Sequence, residues 1–118
     1  MTEVVTKGWG REIIFASTPN YCGKLMEFYR VGAKSSMHFH VKKHETWYVQ
    51  KGKFRVNWIN HCDATHGSHI LIEGSTWTNE IGEPHQLEAL EDNSVIFEVS
   101  TYDDPNDNYR VMPGDSQK

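Results

Sequence analysis

Helical periodicity is scarce in this sequence. Apolar residues rarely recur at three- and four-residue spacing, which argues against a bundle of amphipathic helices. No apolar run approaches the roughly 20 residues of a membrane-spanning helix. Basic residues are not in excess: 12 Lys and Arg stand against 16 Asp and Glu, a formal net charge of −4. That balance argues against a nucleic-acid surface, because such surfaces are strongly positive. Cysteine is sparse, and the two present, Cys22 and Cys62, form no recognisable pair. The opening Met1-Thr2-Glu3-Val4-Val5-Thr6-Lys7 lacks the character of a secretory signal. Two free thiols in a cytoplasmic protein are therefore expected. Repeats and low-complexity tracts are absent.

The chain consists instead of short runs of β-branched and aromatic residues, punctuated by Gly, Pro, Asn and Asp. This pattern predicts about eight to ten short strands and an all-β sandwich or barrel. A length of 118 residues predicts one domain, residues 1–118, with a barrel core over about 8–111. Aromatic residues make up 12% of the chain, including four Trp, and large rings fill a small barrel efficiently. Strands are expected at 12–15, 24–31, 45–49, 54–58, 69–72, 85–89 and 94–99, with short ones ending at 40 and near 109–111. Lys51-Gly52-Lys53 reads as a tight turn. Residues 61–69, with His61, His66 and His69 beside Cys62, read as a solvated loop. Residues 114–118 read as frayed.

The chemistry concentrates in two runs. In the first, five residues separate Gly32 from His38, one separates His38 from His40, four separate His40 from Glu45, and six separate Glu45 from Gly52. On a strand, His38 and His40 share one face. The turn at Val41-Lys42-Lys43 resets the parity, so Glu45 can face the same cavity, with Trp47 and Val49 following it inward. The second run is Gly74 to Gly82, then Glu83-Pro84-His85. Three imidazoles and one carboxylate suit a divalent transition metal such as Zn, Mn, Fe or Ni. His44 competes with Glu45 for the third place.

These two runs resemble the signature of the cupin superfamily, which places the third ligand at Glu45. The resemblance implies a double-stranded β-helix, or jelly-roll barrel, holding a metal on His38, His40, Glu45 and His85. It departs from the usual pattern at Glu80, where proline is common, and at Ala89, where asparagine is common. Gly8-Trp9-Gly10, Glu45-Thr46-Trp47-Tyr48-Val49, Gly82-Glu83-Pro84-His85-Gln86-Leu87-Glu88, Phe97-Glu98-Val99 and Asp107-Asn108-Tyr109-Arg110 resemble the mannose-6-phosphate isomerase-like cupins. That likeness implies a sugar-phosphate substrate and aldose–ketose isomerisation, and the likeness to small cupins implies a homodimer that hides an exposed sheet. Such a reaction needs a base and a phosphate-binding cation. Glu98 is the candidate base if its strand turns it inward rather than Phe97 and Val99. Arg110 is the first candidate cation, ahead of Arg11 and Arg55. Metal-dependent oxygenase or lyase chemistry and non-catalytic metabolite binding are the alternatives.

Overall fold

The computed structural model describes residues 2–118. Alternation of side chains builds strands β1 (Glu3–Lys7), β2 (Gly10–Ser17), β3 (Cys22–Phe28), β4 (Met37–Phe39), β5 (Glu45–Lys51) and β6 (Lys53–Ile59). They continue as β7 (His66–Ile72), β8 (Thr76–Asn79), β9 (His85–Ala89), β10 (Ser94–Ser100) and β11 (Tyr109–Met112), before a short 3-10 turn at Asp115–Gln117. Two sheets result, one ordered β1-β2-β3-β10-β5-β8 and the other β11-β4-β9-β6-β7. Every pairing between these strands is antiparallel. The chain is an all-β jelly roll, its inner faces closing on one another.

Each inner strand carries apolar residues toward one end of the sandwich and polar ones toward the other. Along β5 the inward series is Val49, Trp47, Glu45; along β10 it is Ile96, then Glu98; along β9 it is Ala89, Leu87, His85. The ladders keep these changes in step: Ile96 lies opposite Val49, and Glu98 opposite Trp47 and Lys24. The apolar end packs around Phe28, which is fully buried, stacked on Trp9 at 4.2 Å and edge-on to Phe54 at 5.1 Å. The polar end is thereby held open by a rigid aromatic floor.

The tight turn at Lys51-Gly52-Lys53 forms with Gly52 at φ +80°, where a Cβ would sit 2.1 Å from Ser94 Oγ. Four expectations need correction. A strand, β1, precedes the first expected one and pairs with β2, which itself begins at Gly10. The strand expected over 24–31 instead spans Cys22–Phe28. Residues 66–69 are strand rather than loop, because the β6 ladder continues to the pair Ile59–His66. The tail is docked rather than frayed: Asp115 is buried and its carboxylate accepts the Lys34 N–H at 3.0 Å, while Ser116 Oγ accepts the Gly8 N–H at 3.0 Å.

Truncating Phe28→Ala removes the ring shared by Trp9 and Phe54. The expected loss is about 3–5 kcal/mol of unfolding free energy, measured by urea denaturation.

Candidate functional site

His38 and His85 are register partners on β4 and β9, and His40 lies just beyond the end of β4. Donor atoms of His38, His40 and His85 all lie within 4.8 Å of one another. Glu45, at the start of β5, closes the group: its Oε1 is 2.8 Å from His85 Nε2 and 3.7 Å from His40 Nε2. His44, by contrast, is exposed and faces Glu80 at 3.7 Å.

The three rings share one device. His38 Nδ1 lies 2.9 Å from the Ser36 carbonyl, His40 Nδ1 2.5 Å from the Asp107 carbonyl, and His85 Nδ1 3.0 Å from the Glu83 carbonyl. A backbone carbonyl only accepts, so each Nδ1 carries a proton and each Nε2 is the nitrogen turned toward the other rings. Desolvation pushes His38 down to about 3 and also lowers His40, which leaves a lone pair on the Nε2 of each. His85 Nε2 is buried and has no hydrogen-bond partner, although Glu45 Oε1 is near. Converging ring nitrogens and a carboxylate make a donor set suited to a cation. The residues therefore fit a divalent ion bound by three imidazoles and one carboxylate.

Beside this cluster lies a buried charge network. Lys43 Nζ is 3.3 Å from Glu45 Oε2, 3.2 Å from Glu98 Oε2 and 3.4 Å from Asp103 Oδ1. Lys24 Nζ is 3.2 Å from Asp103 Oδ2, 3.5 Å from Glu12 Oε2 and 3.7 Å from Glu98 Oε2. Burial alone would lower both ammonium pKa values, but the surrounding carboxylates, Glu98 foremost, raise them. Glu98 answers in the other direction: burial and the neighbouring Glu45 charge lift it to about 7 against the pull of the two lysines. Burial opposes the ionisation of Glu45 too, yet the facing His85 ring and the Lys43 ammonium outweigh it and hold Glu45 well below the ordinary value.

β10 turns Glu98 inward, leaving Val99 exposed on the opposite face. Trp47 Nε1 donates to Glu98 Oε1 at 2.8 Å, whereas Oε2 makes no hydrogen bond. Arg110 lies directly across from His38 in the β11–β4 register and lines the same cavity, of about 260 Å³. Arg11 and Arg55 are paired with Glu27 and Glu88 respectively, outside that cavity. His61, His66 and His69 do not converge; His69 Nδ1 accepts the Trp58 indole N–H at 3.3 Å, and its ring packs on Trp77. Among the described residues, only His38, His40 and His85 form such a metal-competent group.

Sequence reading passed over Lys24, Lys43, Asp103 and Asn79. Lys24 was discoverable, since it shares strand parity with the inward Met26 and Phe28. Lys43 sits in a polar turn, and nothing local marks it as buried. Asp107 also carries more than its sequence position suggests. Its carboxylate accepts the N–H groups of Val41, Lys42 and Lys43 at 2.8, 3.1 and 3.0 Å, and its carbonyl orients His40.

No protein-family model matches the sequence, and no curated protein is significantly similar to it. Solved structures do resemble it. The capsular polysaccharide assembling protein CapF from Staphylococcus aureus superposes with a TM-score of 0.81 at 19% identity, over 95% of this chain and 33% of that one. KdgF from Halomonas sp. gives 0.70 at 23% identity, over 81% of each chain. Oxalate decarboxylase from Bacillus subtilis gives 0.79 at 22% identity, over 93% of this chain and 30% of that one. This chain thus spans about a third of the length of CapF and of the decarboxylase. The architecture they share with it is the two-sheet, all-β jelly roll.

Asp107 makes a pH prediction. Burial opposes its ionisation, but the three N–H donors outweigh this and hold its pKa below the ordinary 3.8. A depressed carboxylate contributes stability in full above its unfolded value and loses it as pH falls through the folded one. Asp107→Ala should cost about 2 kcal/mol at neutral pH. Urea melts should show the gap to wild type narrowing below pH 3.8.

Proposed function

We propose that this protein is a metal-dependent cupin that moves a proton on a small anionic metabolite. A sugar phosphate undergoing aldose–ketose isomerisation is the first candidate. His38, His40, Glu45 and His85 would hold the ion. When bound, a divalent ion supplies positive charge to substrate oxygens as negative charge develops on them.

The observation that carries this reading is Glu98: a buried carboxylate that lines the cavity beside the imidazole cluster, anchored at Oε1 by Trp47. Isomerisation requires a base that takes a proton from one carbon and returns it to its neighbour. Glu98 is held for that task by the Trp47 indole on Oε1, while Oε2 faces the Lys43 ammonium at 3.2 Å. Lys43 and Lys24 compensate its charge at Oε2.

The anionic end of the substrate has its own partners. Lys7 and Arg110 line the cavity, and among the described residues neither has a carboxylate within 4.0 Å. The other two cations there are already compensated. Uncompensated cations beside a cavity favour a phosphate or carboxylate. That feature also supports a second reading, a lyase or decarboxylase acting on a small carboxylate, because the two cations serve either anion. The neighbour oxalate decarboxylase is by its name an enzyme of that kind.

The test is a screen of metal-loaded protein. Interconversion of mannose 6-phosphate and fructose 6-phosphate is the expected result; carbon dioxide or an unsaturated acid from small carboxylates would favour the second reading. A ligand-dependent rise in melting temperature with no product at all would leave only a binding protein. In the active protein, Glu98→Gln should lower kcat by about 10²–10⁴-fold with metal content unchanged. Arg110→Ala should raise KM about tenfold for the anionic substrate with little change in kcat, as read from steady-state kinetics.

A further inference from the structure

Two tryptophans stand directly opposite one another in the β5–β8 register, Trp47 and Trp77. Each aims its indole N–H at a polar group of the site. Trp47 holds Glu98; Trp77 Nε1 donates to Asn79 Oδ1 at 2.9 Å. Strand parity produces the second contact, since Trp77 and Asn79 are two residues apart and face the same side of β8. Asn79 is itself the register partner of Glu45. Only 2% of it is exposed, and its Nδ2 donates to Glu45 Oε1 at 3.3 Å.

An indole can only donate. Its N–H therefore fixes which end of the Asn79 amide is oxygen and turns the NH₂ onto Glu45. That carboxylate is then gripped at both oxygens: Asn79 on Oε1, the atom facing His40 and His85, and Lys43 at 3.3 Å from Oε2. A carboxylate so held cannot rotate to present both oxygens, and the amide donor draws charge from the oxygen that faces the imidazoles.

We infer that Asn79, oriented by Trp77, is a positioning residue that fixes Glu45 Oε1 toward the three imidazoles and sets how strongly the site binds a divalent ion. This rests on the metal-site reading above, but not on the identity of the substrate. Outer partners of this kind typically change metal affinity 10–100-fold when removed.

The experiment titrates Co(II) into the 118-residue protein, with visible absorption reporting coordination and a competing chelator giving Kd. Wild type, Asn79→Ala, Asn79→Asp, Trp77→Phe and His85→Ala are compared, each first checked for a cooperative melt without metal. Asn79→Ala is expected to weaken Co(II) binding about 10–100-fold and alter the visible band. Trp77→Phe, which keeps the amide but frees its orientation, should shift both in the same direction by less. Asn79→Asp, which loses the donor and adds a charge beside Glu45, should alter the band again. Unchanged Kd and spectrum in a folded Asn79→Ala overturn the inference while leaving the metal site intact. If Asn79→Ala does not fold, Trp77→Phe decides by the same two readouts. Wild type that binds no Co(II), or His85→Ala that binds it equally well, removes the metal site itself and this inference with it.

Discussion

Three Nδ1–H groups are committed to three backbone carbonyls, those of Ser36, Asp107 and Glu83. Most of the polar end of the barrel depends on that constraint. A histidine side chain has two nitrogens and one proton to place, and a fixed acceptor on one side decides the other. Because each acceptor is main chain, the choice is made by backbone geometry rather than by a titratable neighbour. The three Nε2 atoms then meet beside Glu45. Such a cluster is costly in a protein interior unless a cation shares it, since desolvated acceptors facing each other gain nothing from one another. The fit to a divalent ion follows from this arrangement of donors, not from the presence of histidines alone.

The neighbouring lysines solve a related problem. Glu45 and Glu98 are both buried, and close carboxylates cannot both ionise without help. Lys43 reaches both, Lys24 reaches Glu98 and Glu12, and Asp103 spans the two lysines. A buried ion network is rarely a source of stability, because desolvation offsets most of the Coulombic gain. Stability comes from the other end, where Trp9, Phe28 and Phe54 stack. The jelly roll therefore divides its interior: aromatic packing supports one end, and charge is concentrated at the other on the same strands.

Much of the architecture was legible from local patterns. Alternation located β5 and β6, because one face of each is buried and a period of two survives in the sequence; a β-rich run located β10, and the turn before His85 located β9. Gly52 marked its turn because the position demands a positive φ. The boundaries that went astray did so for tertiary reasons. β7 begins at His66 because β6 continues to pair with it, although His66, Ser68 and His69 are polar and exposed. The tail is ordered because Asp115 caps the Lys34 amide and Ser116 meets Gly8, contacts more than 80 residues apart in sequence. Glu98 could not be oriented from its strand alone, since Phe97 and Val99 offered an equally plausible apolar face; pairing with β3 and β5 decided it.

By itself, then, the sequence determined the strand periods, the turns, and the spacing that sets His38, His40, Glu45 and His85 on elements able to meet. Those properties are local: a period of two, a glycine φ, a count of residues between donors. Only the tertiary structure decided which nitrogen of each histidine faces the cavity, that Lys24 and Lys43 are buried among carboxylates, and that Asn79 and Trp77 reach Glu45. Those properties depend on sheet register and on acceptors contributed by distant segments, and no short stretch of chain contains both partners.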